Sequence, residues 1–144
     1  MLGIVFFAHG AQKLLGWFGG AGFNGTMDVF THQMGIPAPL AVVAIAAEFF
    51  GGFGLIVGLL GRVAAFGIIG NMMVAVVMVH SHFGLFMNWF GNQQGEGIEY
   101  HLLAIALGLA VAVKGSGALA CDRLLTRPSH ASTSHVRRMQ TAAL

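Results

Sequence analysis

Glu48 is the residue in this chain that most needs a chemical explanation. It lies in the otherwise apolar run from Ala38 to Leu60, about 15 Å of helical rise from the start of that run. A carboxylate that deep in hydrocarbon costs on the order of 3 kcal/mol. It must therefore face the bundle interior with a partner or stay protonated. Ala44, Gly51 and Gly52 neighbour it at helical spacing, and small residues let an adjacent helix approach closely.

The other apolar runs offer partners on single faces. His9, Gln12, Lys13 and Gly16 fall at i, i+3, i+4 and i+7 of a helix. Gly67, Asn71, Ala75, Met78 and His82 form one stripe, and His101, Ala104, Gly108, Ala112 and Gly115 form another. By depth, His9, Glu48 and Asn71 fall near mid-membrane. Lys13, His80, His82, Glu99, Tyr100 and His101 fall in the outer half or at the outer interface. The expectation is one polar cavity open toward the outside. Each residue also has a structural reading: Glu48 with Lys13 as an ion pair joining two helices, His9 as an interhelical hydrogen bond, Asn71 as helix–helix adhesion. His80 and His82 sit two apart and diverge by about 160° on a helix, so a wetted interface is expected there and no metal is assigned.

The elements that must carry these residues follow from composition. The chain has 144 residues, 56% of them hydrophobic and 8% charged, with a mean hydropathy of +0.78. A soluble fold of this size could not cover so much apolar surface with so few charges. That excludes an ordinary soluble domain, a disordered chain and a nucleic-acid binder, and makes the lipid bilayer the first partner. Four apolar runs, Met1 to about Phe18, Ala38 to Leu60, Val63 to about His82 and Ile98 to about Ala120, each approach the roughly 20 residues of a bilayer helix.

Lys13, Arg62 and Lys114 face four acids up to residue 121, whereas Arg123, Arg127, Arg137 and Arg138 face only Asp122 beyond it. The basic excess thus belongs to the C-terminal tail. By the positive-inside rule both termini and Arg62 face the cytoplasm, and the connections around 19–37 and 83–97, which contain no Lys or Arg, face outward. Trp17 and Trp89 then share the outer interface. Met27, Phe30 and Met34 recur at helical spacing in the first outer loop, while Asp28, His32 and Gln33 point elsewhere.

The expected fold is all-α: a four-helix transmembrane bundle with a short interfacial helix in that loop. Residues 1–122 form the membrane domain, and 123–144 a basic, disordered cytoplasmic tail. Cys121 is the single cysteine, so no internal disulfide exists. Gly20-x-Gly22-x-x-Gly25 follows no strand and is a chance match to a dinucleotide fingerprint. Gly54-x-x-x-Gly58 reads as a helix-packing motif.

Several longer runs resemble the DoxX family of small bacterial membrane proteins. They are Gly3-Ile4-Val5-Phe6-Phe7-Ala8-His9-Gly10-Ala11-Gln12-Lys13-Leu14, Gly35-Ile36-Pro37, Glu48-Phe49-Phe50-Gly51-Gly52, Gly58-Leu59-Leu60-Gly61-Arg62-Val63-Ala64-Ala65 and Gly95-Glu96-Gly97-Ile98-Glu99-Tyr100. Their order is the family's, and the similarity runs from Met1 to about Asp122. Members commonly carry a further stretch ahead of the first-helix motif, so a lead-in is expected to be missing here.

The resemblance implies four helices in a bacterial inner membrane and links to oxidoreductases, quinones and oxidative stress. A quinone is the cofactor it implies. Glu48, Lys13 and His9 would then be the catalytic groups, and Gln12, Asn71, Tyr100 and His101 would bind the ring. The alternatives are a non-catalytic membrane subunit that positions a redox partner protein, and a small carrier. Oligomeric state stays open.

Overall fold

The computed structural model describes residues 1–115 together with Gly117, Ala120 and Cys121. The described residues are helical and irregular, with no strand. Helix α1, Leu2–Leu15, stops where Gly16 takes the left-handed conformation (φ 73°) and donates its N–H to the Ala11 carbonyl. A 3₁₀ turn at Trp17–Gly19 leads into α2, Gly22–Asp28, which continues as a π turn over Val29–Gln33. Helix α3, Ala38–Val57, begins beside Pro37 and Pro39, where a missing N–H costs nothing. Helix α4, Gly61–Ala75, runs on through a π turn at Val76–His80 and a 3₁₀ turn at Ser81–Phe83. Helix α5, Glu99–Lys114, has an acid in its first turn and a base in its last, both matched to the helix dipole.

Among the described residues, two helices are long and apolar enough to cross a membrane: Ala38–Val57 with 20 residues and Gly61–Phe83 with 23. The outer runs are shorter than their sequence suggested. α1 has 14 residues and ends before Phe18, and α5 has 16 and ends at Gly115, where φ is 79° and ψ −174°. Apolar composition continues past both points, but the glycine backbone turns the chain out of the helix. Asp122 and the tail lie outside the described residues.

The helices pack through glycine and a small core. A Cβ at Gly10 would overlap the Phe49 backbone, one at Gly52 would overlap Phe7, and one at Gly3 would come within 2.8 Å of the Gly52 carbonyl. α1 and α3 therefore touch backbone to backbone. Leu2 and Phe6 of α1, Ile68 and Met72 of α4 and Ala104 of α5 form the buried cluster. Large apolar side chains such as Ile4, Phe50, Phe53, Val63 and Leu103 point outward and are exposed, a surface suited to hydrocarbon and not to water.

Gly54 and Gly58 serve the end of α3 and not a helix–helix crossing. Gly58 is left-handed (φ 70°) and donates to the Gly54 carbonyl, which also accepts from the Leu59 N–H at 2.8 Å. A Cβ at Gly58 would lie 2.6 Å from the Ala120 Cα. The result is a three-residue turn that folds α4 back along α3.

Candidate functional site

α3 and α4 leave that turn in contact and then separate. A Cβ at Gly51 would lie 3.6 Å from the Ala64 carbonyl, and one at Gly67 would lie 3.5 Å from the Ala47 Cβ. A turn farther on, a Cβ at Gly70 would meet nothing within 4 Å. Glu48 and Asn71 stand where the two helices begin to part. The Asn71 Nδ2 donates to Glu48 Oε1 at 2.7 Å. Lys13, reaching from α1, donates from Nζ to Glu48 Oε2 at 2.5 Å. Three helices thus meet at one carboxylate that is only 4% exposed, and both of its oxygens carry a donor. The ion pair expected from sequence is present. Lys13 is the more accessible member, with 27% of its side chain exposed, and an ammonium has N–H donors beyond the one Glu48 takes.

Aromatic groups extend this centre toward α5. The Tyr100 ring lies 6.3 Å from Phe6 and 6.0 Å from His9 by ring centroids. His101 follows on the buried side of α5, and its ring centroid is 4.1 Å from that of His80. His80 Nδ1 donates to the Glu96 carbonyl at 2.7 Å, which fixes the proton on that nitrogen. Tyr100 Oη is buried and has no hydrogen-bond partner in the protein, whereas the buried His101 ring is within hydrogen-bonding reach of the Gly97 backbone.

All these groups line one cavity of about 860 Å³. Its far walls are apolar: Leu40, Val43 and Ala47 on α3, and Phe66, Val74 and Met78 on α4. Several of these wall residues, including Leu40, Val43, Phe66, Val74 and Met78, are also exposed, so the cavity opens sideways between the two helices. Polar groups occupy one end of a mainly hydrocarbon space, which differs from the polar cavity expected. Volume and chemistry are those of a site for a drug-sized, mostly apolar ligand with a few polar anchors.

Of the residues singled out in the sequence, His9, Lys13, Glu48, Asn71, Tyr100 and His101 reach the cavity. Gln12 does not line it; its amide donates to the Phe18 carbonyl at 3.4 Å and supports the turn after α1. His80 lines the cavity and His82 does not, because the π turn at Val76–His80 widens the helix and shifts the face that follows. Glu96 and Glu99 hold the connecting loop together, accepting the Asn88 and Met87 N–H groups at 2.6 and 3.2 Å. Among the described residues no three His, Cys, Asp or Glu side chains are grouped to hold a metal ion.

Sequence reasoning missed Phe30, Met34 and Gly70 as wall residues. Phe30 and Met34 share a helical face in the sequence, but that face turns onto the cavity, while Asp28 and His32 pair at 2.9 Å on the exposed side. A glycine in mid-helix beside Asn71 was the one local sign of Gly70.

The sequence model of the DoxX family matches residues 1–81, a stretch that includes α1 to α4 and stops short of the Gly95–Tyr100 motif. Over 113 residues the chain is 30% identical to "Inner membrane protein YqjF" of Escherichia coli (strain K12), covering 78% of this chain and 81% of that protein. No solved structure matches.

Proposed function

This chain belongs to the DoxX family, and from that premise we propose that it is a quinone-linked oxidoreductase of the bacterial inner membrane, or the membrane subunit of one. The name of its Escherichia coli relative supports the location. In this reading α1, α3, the α4 stretch and α5 all cross the bilayer, with both termini and Arg62 cytoplasmic and the two long loops outside. α1 and α5, about 21 and 24 Å long by their residue counts, span by local thinning and by their flanking residues.

The observation that carries the functional reading is the buried Tyr100 hydroxyl without a partner, beside a Lys–Glu pair, at the polar end of an apolar cavity. An unsatisfied buried hydroxyl costs about 1–3 kcal/mol, and a ligand carbonyl would satisfy it. The residues fit a quinone: an aromatic ring with two carbonyl acceptors and otherwise apolar substance. Tyr100 Oη donates to one carbonyl, and Lys13 has a donor to spare for it as well. His9 lies against Tyr100 and fixes the ring's edge. Glu48 and Lys13 together hold a proton within reach of that oxygen, and Asn71 keeps the carboxylate oriented when Lys13 moves. Bound there, a quinone supplies the capacity to take up two electrons and two protons. The electrons come from a partner redox protein. Gln12 does not line the cavity and is left out of this reading.

The test is an organic extract of protein purified in mild detergent, compared between wild type and Glu48→Gln. Quinone in near-stoichiometric amount in the wild type, and its loss from a folded Glu48→Gln variant, is the expected result. Folded wild-type protein free of quinone would refute the site and leave the chain as a subunit that positions a partner.

A further inference from the structure

A quinone ring is small beside a cavity of about 860 Å³, and the space left over has a definite shape. It runs from the Glu48 centre outward between two facing stripes. Leu40, Val43, Ala44 and Ala47 follow i, i+3, i+4, i+7 spacing on α3; Gly67, Gly70 and Val74 face them from α4.

Gly70 is the informative member. It is in the interior of a helix, where glycine costs about 1 kcal/mol against alanine. Nothing lies within 4 Å of where its Cβ would be, so close packing does not require it. Gly10 and Gly52 differ, because neighbouring backbone forbids a side chain at either. What a side chain at Gly70 would fill is the cavity itself. Independent of this stripe, Tyr100 contributes a buried, unpartnered hydroxyl at the polar end of the same cavity. The polar end can hydrogen-bond a ligand's head, and the apolar end is a cleared path from there to the exposed edge of the protein.

We propose that this cleft holds the hydrocarbon tail of the ligand whose ring sits at Glu48, and that Gly67 and Gly70 are its specificity-determining residues. The ligand class is a long-tailed quinone or quinol, its tail passing over Gly70 between Val43 and Val74 into the lipid. This rests on the quinone reading above. In a membrane the tail gains little from leaving lipid for an apolar cleft, so the cleft acts by shape: it admits a tail and gives it a way out. A bulky side chain at Gly70 closes that way and leaves the ring pocket untouched.

The experiment is equilibrium binding to the purified full chain in detergent, by titration calorimetry, of two probes with the same dimethoxy-methyl-benzoquinone ring. One has no tail and the other a decyl tail. Wild type is expected to bind both. Gly70→Phe should bind the tail-less ring within about twofold of wild type and the decyl form at least tenfold more weakly, the scale of a steric overlap in a packed site. Val43→Trp closes the same path from α3 and should give the same split, which keeps the question answerable if Gly70→Phe does not fold. Wild type binding both probes, with each folded variant treating them alike, would overturn the tail path and leave the quinone reading standing. Wild type binding neither probe would overturn the quinone reading and the tail path with it.

Discussion

Replacing Lys13 by Met removes the positive partner of Glu48 while keeping most of the side-chain volume. Glu48 is left 4% exposed with only the Asn71 amide, at 2.7 Å. Breaking a buried pair from one side costs about 3–5 kcal/mol. Lys13 is 27% exposed in its side chain, which puts this pair near the lower end of that range. The loss should therefore be about 3 kcal/mol.

The double variant Lys13→Met/Glu48→Gln removes the charge instead of stranding it, and should recover roughly 2 kcal/mol of the loss. Reversible unfolding in mixed micelles, measured at pH 7 for wild type, the two single variants and the double, reads all of this as one cycle. A Lys13→Met cost below about 0.5 kcal/mol at pH 7, or strictly additive single effects, would show that the pair behaves like a solvated surface contact. The reading of Glu48 as a buried charge held by Lys13 would then be wrong.

Further outcomes follow from the same contacts. Gly52→Ala pushes a Cβ into the Phe7 backbone and Gly70→Ala meets nothing. Thermal unfolding should show the first destabilised by about 2–3 kcal/mol and the second unchanged or more stable by up to about 1 kcal/mol. Tyr100→Phe deletes an unpartnered buried hydroxyl, so unfolding should show no loss of stability, while quinone binding weakens by about tenfold for the lost hydrogen bond. Glu99→Ala frees the Met87 N–H. Hydrogen exchange should show faster opening in the loop of residues 84–97, with a stability loss of about 1–2 kcal/mol and the Lys13–Glu48 pair intact.

What the sequence determined alone was what short-range rules can determine. Its composition forced apolar helices with outward-facing hydrocarbon, and the family motifs fixed the lineage. Glu48, an acid in an apolar run, demanded a partner, and helical spacing put Lys13 and Asn71 on faces that could supply one. Those inferences hold because composition and periodicity are properties of single helices.

The tertiary structure decided what depends on how helices meet. Lys13 and Asn71 divide the two oxygens of Glu48, and Gln12, on the face read as shared with Lys13, turns to the Phe18 carbonyl. Helix ends moved too, since Gly16 and Gly115 stop α1 and α5 while the apolar composition runs on. Of the two histidines expected at the cavity, the π turn keeps His80 there and turns His82 away. The glycines separated into those that let backbones touch, one that ends α3 and one that keeps space open. A glycine's letter is the same in all three roles. Only the distance to the next helix distinguishes them, and that distance is set by the splay of α3 from α4, to which no local pattern in the chain refers.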